Sequence, residues 1–507
     1  MTIPTFMGLE TAKRGLAAQQ AALSVTANNI SNANTEGYSR QRVTFKATTP
    51  YPSVSMNSVG LAGQMGTGVE VGSVERVRDS FLDYQYRSHS TNAGYYNSKV
   101  DAFAQMEGIM NELDDSGLNS VLNSFWNSIQ ELTNNAHEPS ARSVVAQKGQ
   151  TVAQTFNHLY ESLTTVQRNL GDQLNQDVLT MNSLLSQLNS LNEQIAQVEP
   201  NGYLPNDLYD KRDQLLDQLS SMASIKVSYN KTGGNSLPAA EGTVSVEILG
   251  SNGQSLGKVL DGQTYTTADV KVNYDNDTGL VTIISLGGTD IAADAFTSKG
   301  SLLGLIESFG YMSNGEEKGI YPDMLTNLDD MALAFAKAFN EVHQNGFTNT
   351  GEKGGAFFEF TGTEAEPAKG AAAKIKVADD IMASRGEKIA ASLNGQTSDN
   401  ANATNLAAVF TSKITIGEKT TTVLDYYAGI IGEMGVQAQE TNRLAKNTET
   451  QLNSAEINRQ SVSAVSLDEE MSNMIQFQHA YNAAARMITL QDEILDKIIN
   501  GMGVVGR

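Results

Sequence analysis

The sequence predicts a multidomain, mainly α-helical protein with β insertions. Apolar residues recur at helical spacing through the N-terminal part of the chain and again toward the C-terminus. Between these stretches, short runs rich in β-branched residues are separated by Gly, Asn and Asp turns. The chain has 507 residues, which is too long for one compact core, so its length favours roughly two to four domains.

The first helical segment carries a narrow apolar stripe. Leu9, Leu16, Leu23 and Ile30 are each seven residues apart, with alanines between them, as in a coiled-coil seam. A helix of about three heptads is not stable alone, because nucleation is costly and one thin stripe buries little surface. The segment therefore needs a helical partner.

A polar turn ends this helix at the stretch NNISNANTEGYSRQR, residues 28–42. Asn and Gly favour turns and left-handed backbone, so the helix cannot continue past Gly37. Residues 50–74 are rich in Gly, Ser and Val and indicate an irregular joint with short strands. A plain helix stop would explain Gly37 and one Asn, but not the whole string.

The middle of the chain alternates long helices with one strand-rich region. Helical spacing returns near Ser80 and continues past Pro139 to about Val198, which indicates rod-like helices. The segment that begins at residue 205 predicts another helix, whose inner side carries Leu208, Leu215 and Leu219. The short strands that follow predict an inserted β domain.

A second apolar stripe lies at the other end of the chain and again has seven-residue spacing. Its members are Leu467, Met474, Tyr481, Ile488, Leu495 and Met502. Burying them is worth roughly 10 kcal/mol before the entropy of ordering is subtracted, so this stripe also requires a partner. We expect it to pack against the first stripe, in the same chain or in a neighbouring copy. The alternative is that both stripes are ordinary core positions of one helical domain.

These patterns define the expected domains. A terminal helical coiled-coil domain comprises residues 1–75 and 465–507, and a helical rod-like domain comprises 76–224, 301–345 and 421–464. The inserted β domain spans residues 225–300, and a small mixed insertion is expected at 346–420.

Composition excludes several classes of function. The net charge of -22 disfavours binding to nucleic acid or to anionic membranes, and no cluster of Lys and Arg offsets it. Cysteine is absent, which removes disulfides, thiolate metal sites and cysteine nucleophiles. No cleavable signal or membrane-spanning run is visible. The five histidines are scattered, and no hydrolase, phosphate-binding or dinucleotide motif occurs, so we expect no catalytic, cofactor or metal site.

The string NNISNANTEGYSRQRV resembles the signature of the bacterial flagellar axial proteins, which include the rod, hook and hook-associated proteins. Its GYSRQ ending is similar to the hook-associated group. The segments PNDLYDKRDQLLDQLS, HEPSARSVVAQKGQTVAQTFN and DNANATNLAAV resemble that group too, although the family more often has Arg where Ala401 stands. The C-terminal segment SVSAVSLDEEMSNMIQFQHAYNAAARMI is similar to the family pattern nearly throughout.

The resemblance implies a structural protein without enzymatic activity that is exported through the flagellar type III apparatus. Such a protein would self-assemble at the hook–filament junction of the extracellular flagellum. Its expected partners are the hook protein, a second hook-associated junction protein and a cytoplasmic export chaperone at the C-terminal segment. Both termini are expected to be mobile in the monomer and to become ordered on assembly.

The resemblance also assigns roles to residues. A turn from the terminal helix to the outer domain would be shaped by Asn29, Asn32, Ala33, Asn34, Gly37 and Tyr38. The assembly seam would consist of Leu9, Leu16, Leu23 and Ile30 with Leu467, Met474, Tyr481, Ile488 and Leu495.

Three other interpretations stay open from the sequence. The first is another hook or rod axial subunit that shares the N-terminal string, against which the long middle region argues. The second is a surface adhesin or glycan-binding module carried by residues 225–300. The third is an enzyme within an insertion, which would need a nucleophile or paired-carboxylate motif that the sequence lacks.

Overall fold

A computed structural model describes residues 6–51, 63–110, 117–362, 369–396 and 399–501. The fold is mainly α-helical with small β-sheets, so the predicted fold class is confirmed. Among the described residues, no helix is both long and apolar enough to cross a membrane.

The two ends of the chain form one helical pair. Helix α1 (Met7–Ser31) lies against helix α12 (Leu467–Asp496), which continues into a π-helical turn at Lys497–Gly501. A two-stranded antiparallel sheet of β1 (Gln41–Ala47) and β2 (Val69–Arg76) packs on α1. Met502 lies outside the described residues.

Long helices form the body of the protein. They are α2 (Ser80–Met110), α3 (Leu118–Asn134), α4 (Pro139–Val198), α5 (Asn206–Met222), α6 (Ser301–Phe309), α7 (Ile320–Asn345) and α11 (Val423–Ser463). Helix α4 has 60 residues and so extends about 90 Å at about 1.5 Å per residue. Pro139 lies in its first turn, where a missing N–H costs nothing, and its last turn passes into a 3-10 turn at Glu199–Asn201.

Two small sheets lie along α4. The first contains β3 (Ile225–Asn230), β4 (Thr243–Leu249), β5 (Ser255–Asp261) and β6 (Thr266–Thr267), in that order. The second contains β7 (Val270–Tyr274), β8 (Val281–Leu286), β9 (Thr289–Ala292), β10 (Tyr311–Ser313) and β11 (Glu316–Lys318). Because β10 and β11 follow α6, this sheet extends beyond residue 300, where the sequence placed the end of the β insertion.

Asparagine side chains attach α4 to both sheets. The Asn192 amide donates to the Val244 carbonyl at 2.8 Å and accepts the Val244 N–H at 2.9 Å. Asn182 forms the same pair with Val270, at 2.9 and 2.8 Å. Each amide thus satisfies a backbone donor and acceptor at the sheet margin, as another strand would.

The segment between α7 and α11 is made of short elements. They are β12 (Phe358–Phe360), α8 (Ala371–Lys374), β13 (Ile375–Val377), α9 (Asp379–Ala383), α10 (Ala401–Ala408), β14 (Ile414–Ile416) and β15 (Lys419–Thr421). Their buried residues belong to the same continuous hydrophobic core as α3, α4 and α7. The described residues between 346 and 420 therefore pack onto the helical body.

Candidate functional site

The pair of α1 and α12, called the terminal arm below, is antiparallel and closely packed. Gly8 lies at the Gln491 side chain, and a β-carbon on Gly15 would contact the Ala484 β-carbon at 4.0 Å. The buried residues of α1 are Ala18, Ala22, Thr26 and Asn29, all small or short. At Gly8 and Gly15 the two helices therefore approach closely, whereas Asn29 faces strand β1.

The predicted leucine stripe of α1 is only partly buried within the chain. Leu9, Leu16, Leu23 and Ile30 all have intermediate exposure, and helical geometry places them on a flank of the buried small-residue face. The intrachain contact thus uses the alanines between the leucines. The assignment of these leucines to a seam between copies stays a prediction.

The predicted stripe of α12 is also only partly buried within the chain. Met474, Tyr481, Ile488 and Leu495 have intermediate exposure, whereas Leu467 is 50% exposed. The antiparallel register places Tyr481 level with Ala18 and Ile488 level with Thr11, so these residues lie on the side that faces α1.

Two further apolar patches lie on α12 and the π-helical turn that follows it. The first patch consists of Leu467, Met471 and Ile475, and the second consists of Met487, Leu490, Ile494 and Ile498, with exposed fractions between 40% and 57%. At about 100° per residue, the two patches flank opposite sides of the stripe that faces α1. A single helix therefore presents apolar surface in two directions, and the hydrophobic core of the described residues covers neither patch.

The turn after α1 is held by side-chain amides. The Asn29 amide donates to the Gln41 carbonyl at 2.8 Å and accepts the Gln41 N–H at 3.0 Å. The Tyr38 hydroxyl also donates to Asn29, at 2.8 Å. Burial, together with Asp210, Asp207 and Glu470, raises the pKa of Tyr38 to about 12, which keeps this hydroxyl protonated. Strand β1 is thereby fixed to the last turn of α1.

The other predicted turn residues differ in how they contribute to the turn. Asn32 donates to the Asn28 carbonyl at 3.1 Å, and Gly37 has a φ of 76°, the left-handed conformation that the sequence predicted there. Ala33 continues the turn through its backbone N–H, which donates to Ile30. The Asn34 side chain is exposed and forms no hydrogen bond with the described residues.

Two chain crossings join the arm to the body, and we call them the elbow: residues 32–40 and 464–466. The Arg40 N–H donates to the Ser463 carbonyl at 2.9 Å, and the Arg40 guanidinium pairs with Glu469. The Gln214 side chain donates to the Glu36 carbonyl at 2.8 Å. Beside the elbow lies an open polar cleft of about 790 Å³, lined by residues 33–39, Arg78, Asp217 and Arg459 among others.

Behind the elbow lies a buried charge cluster. Its cations are Arg76, Arg78, Arg87, Arg212 and Arg459, and its anions are Asp83, Asp210, Asp213, Asp217 and Glu241. These residues come from β2, α2, α5, α11 and the connections between them. The cluster therefore joins the β1–β2 sheet to three helices of the body.

Asp213 is at the centre of this cluster. It pairs with Arg76 at 2.9 Å and with Arg78 and Arg87 at 3.4 Å. Burial alone would raise the pKa of Asp213, but the surrounding arginines outweigh burial and hold that pKa far below its usual range. The carboxylate therefore stays charged, as four neighbouring guanidiniums require.

The charge cluster corrects the predicted inner side of α5. Leu219 is buried as predicted, but Leu208 and Leu215 are only partly buried, and Tyr209, Arg212, Asp213 and Leu216 occupy the interior instead. Sequence reasoning missed this arrangement because charged helix positions are usually exposed. The available signal was the arginine run at Arg76 and Arg78, which supplies the countercharges.

The described residues show no arrangement suited to metal binding. Within the described ranges, no three His, Asp or Glu side chains are grouped so that they could hold an ion. The buried His343 instead bonds to the backbone of Gly355 and Ala390. The site is therefore a helix pair with exposed apolar patches, joined to the body at an elbow that lies beside buried ion pairs.

Comparisons with known proteins agree with this geometry at both ends of the chain. Residues 9–38 match the family described as "Flagella basal body rod protein", and residues 458–501 match "Flagellar basal body rod FlgEFG protein C-terminal". These two ranges cover nearly all of the terminal arm and most of the elbow. They define the class as the axial proteins of the bacterial flagellum.

The middle of the chain identifies the family within that class. Residues 103–358 match "Flagellar hook-associated protein FlgK helical domain". The chain is 69% identical to flagellar hook-associated protein 1 of Bacillus subtilis strain 168 over 99% of both chains. It is 25% identical to the protein of the same name from Salmonella typhimurium, over 96% of this chain and 98% of that one. The chain therefore belongs to the flagellar hook-associated protein 1 family.

A solved structure supports the fold. The "flagellar hook junction protein FlgK from Burkholderia pseudomallei" superimposes with a TM-score of 0.61, at 16% identity, over 75% of this chain and 100% of that chain. At this identity the match bears on the fold alone.

Proposed function

We propose that this protein is a structural subunit of the flagellar axis that forms the junction between hook and filament and allows the filament to assemble. The observation that carries the proposal is the terminal arm, a helix pair whose two apolar patches on α12 have no cover in the monomer. Family membership supplies the flagellar context. No catalytic role is proposed, because the site consists of packing surfaces.

Assembly would bury the surfaces that the monomer leaves open. Apolar area removed from water contributes about 25 cal/mol per Å², and each large side chain contributes about 1.5 to 3 kcal/mol when fully buried. The two α12 patches face different directions, so one arm can contact two neighbouring arms at once. This geometry suits a closed ring or short tube of copies, with the hook protein on one side and a second hook-associated junction protein on the other.

The body of the protein would lie outward from the arm. The buried charge cluster fixes the β1–β2 sheet to α2, α5 and α11, so forces on the arm pass through the elbow into the long helices. We infer that the predicted turn residues serve this connection, with Asn29 and Tyr38 holding the sheet to α1.

The exposed apolar patches of α12 also require cover before the protein assembles. Exposed apolar patches favour nonspecific association, so a cytoplasmic export chaperone that covers α12 is proposed as a partner. We also propose that the protein is exported by the flagellar type III route and becomes part of the extracellular flagellum.

Replacing an apolar residue of the terminal arm with aspartate tests this function. We expect Ile488→Asp and Tyr481→Asp to leave the body folded but to abolish junction formation, because a carboxylate on the side of α12 that faces α1 would be partly buried without a partner and would weaken the helix pair that assembly uses. The variants would be expressed in a strain that lacks the native protein. Motility assays and electron microscopy should then show hooks without filaments, with flagellin in the medium.

Val436→Asp provides the matched control. Val436 is 67% exposed on α11, outside the arm, so the same kind of substitution there should leave filaments intact. Wild-type motility of the Ile488→Asp or Tyr481→Asp strain would contradict the proposal. A labelled chain found along the whole hook, instead of at its end, would favour a hook subunit.

A further inference from the structure

A groove lies between α2 and the first β-sheet, outside the terminal arm, and Asp83 and Arg87 of the charge cluster are among its lining residues. Its volume is about 780 Å³, and it is open to solvent. One wall is the N-terminal half of α2, with Tyr84, Ser88 and Thr91. The opposite wall is strand β3, with contributions from the loop around Ser251.

Strand β3 is the edge of its sheet, and its free edge borders this groove. It pairs with β4 on one side, in the order β3-β4-β5-β6, and no described strand pairs with it on the other. The Leu249 N–H donates to the Ser224 carbonyl, which makes Ser224 and Leu249 a hydrogen-bonded pair of the antiparallel ladder. Because such pairs alternate, the backbone groups of Ile225, Val227 and Tyr229 point away from β4.

An independent contact confirms this alternation. Val244 stands opposite Tyr229 in the ladder, and the Asn192 side chain takes both of its backbone groups. The backbone N–H and C=O groups of Val244 therefore point away from β3. The opposite residue, Tyr229, then directs its own backbone groups away from β4 and toward the groove. No hydrogen bond to the backbone of Ile225, Val227 or Tyr229 occurs from the groove side within the described part of the chain.

The groove is positively charged where the protein as a whole is acidic. Lys226 and Lys299 line it, and neither forms an ion pair with any of the described residues. The Lys299 ammonium lies 5.9 Å from the ring centres of Tyr95 and Tyr96 and 3.4 Å from the Asn92 amide oxygen. The acidic Asp83 in the same groove is already paired with Arg78 at 2.7 Å. Two unpaired ammonium groups thus flank an unpaired strand edge in a chain of net charge -22.

We propose that this groove is a docking site for an extended acidic segment of a partner protein, which adds as a further strand alongside β3. The backbone groups of Ile225, Val227 and Tyr229 supply the main-chain hydrogen bonds, and Lys226 and Lys299 select glutamate or aspartate side chains. An added strand would lie about 4.8 Å from β3, on the side of β3 that borders the groove. This site is separate from the terminal arm and does not depend on the junction role.

The probe for this site is a terminally blocked decapeptide that alternates threonine and glutamate, titrated into the full-length protein. Amide NMR signals of Ile225, Val227 and Tyr229 should shift, and fluorescence polarisation should show saturable binding. A peptide with lysine in place of glutamate should bind at least about tenfold more weakly at low salt, because its charges meet Lys226 and Lys299. A peptide with N-methylated backbone should not bind.

Variants of the protein separate the two contributions. Val227→Pro removes an N–H that the ladder with β4 does not use, so binding should be lost while the sheet remains. Lys226→Glu combined with Lys299→Glu reverses both lysine charges of the groove and should reverse the preference between the two peptides. This second variant keeps the test decisive if Val227→Pro does not fold.

Three results would overturn the proposal. They are no shift at the β3 amides at millimolar peptide, equal binding of the glutamate and lysine peptides, and unchanged binding by the charge-reversed variant. Protection of the β3 amides that rises with protein concentration, without peptide, would also overturn it, since the occupant would then be a second copy of this chain.

Discussion

At the scale of single residues, asparagine side chains link different elements of the fold. Asn29, Asn182 and Asn192 each pair with both backbone groups of one residue, and Asn340 bonds to the backbone of Phe357 and Phe358. A neutral amide both donates and accepts, which neither Asp nor Leu of similar size can do. These positions depend on the amide itself.

Asn29→Asp tests that dependence at the elbow. A carboxylate cannot donate to the Gln41 carbonyl, and the change buries a charge beside it, so we expect a local loss of about 2 to 4 kcal/mol. Hydrogen exchange at the Gln41 amide should report this loss. Asn28→Asp, at the adjacent exposed position, is the control and should change exchange little. Equal exchange in both variants would contradict the role of Asn29.

His343 is a second residue whose state is fixed by its surroundings. The Ala390 N–H donates to Nε2 at 3.0 Å, so Nδ1 carries the proton and donates to the Gly355 carbonyl at 2.8 Å. Burial lowers the pKa of His343 from 6.5 to about 4, although the Gly355 hydrogen bond opposes this effect. The folded protein therefore keeps the ring neutral where an unfolded chain would protonate it.

The sign of the pH dependence follows from this lowered pKa. Stability from His343 is fully present above pH 6.5 and is lost as the pH falls toward 4, because the unfolded state binds the extra proton. We expect a loss of up to about 3 kcal/mol across this window. Urea unfolding measured against pH would show it, and the slope should be smaller in His343→Gln, which keeps both hydrogen bonds without titrating. An identical slope in that variant would contradict the assignment.

At the scale of elements, α4 is shaped by glycines where other elements cross it. A β-carbon on Gly149 would lie 2.7 Å from the Phe357 ring, and one on Gly171 would lie 2.8 Å from the Phe309 ring. Glycine normally weakens a helix interior relative to alanine by about 0.5 to 1 kcal/mol. Here the missing β-carbon lets two aromatic side chains pack against the helix backbone.

Gly171→Ala is therefore expected to lower stability, although alanine is the better helix former. The gain in helix propensity of about 1 kcal/mol should be exceeded by the displacement of Phe309, which we expect to cost about 1 to 3 kcal/mol. Gly108→Ala in α2 is the control, since nothing lies within 4 Å of its added carbon, and it should raise stability. Thermal unfolding compares the two variants. If both variants were more stable than the wild type, the Phe309 side chain would have to move aside at little energetic cost.

The sequence predicted helices better than it predicted which face of a helix is buried. Spacing located α1, α4, α6, α7 and α12, because large apolar residues mark helical periodicity. Spacing did not reveal that the buried face of α1 carries Ala18 and Ala22 in place of the leucines, since close packing of backbones depends on small side chains rather than hydrophobicity. The sequence also did not reveal that Asp213 is buried at the centre of a charge cluster. Its partners Arg76, Arg78 and Arg87 are more than a hundred residues away, and only tertiary structure brings them together.

At the scale of the whole molecule, the body and the terminal arm differ in how they are stabilised. One continuous core runs from α2 through both sheets to α11 and includes none of the residues of α1 or α12. Glu470 is the single buried residue of α12, and the buried residues of α1 are small. The arm therefore buries little apolar surface against an ordering cost of about 1 to 2 kcal/mol per residue.

This difference predicts a monomer with a stable body and a labile arm. In hydrogen exchange of the free protein, residues 9–30 and 467–495 should exchange far faster than α4, which serves as the internal reference. In assembled junctions the same residues should become protected, because neighbouring copies then cover Leu16, Leu23 and the two α12 patches. The body should exchange at the same rate in both states. Strong protection of residues 9–30 in the free monomer would show that the helix pair is self-sufficient, and the open stripes would then have to serve a purpose other than assembly.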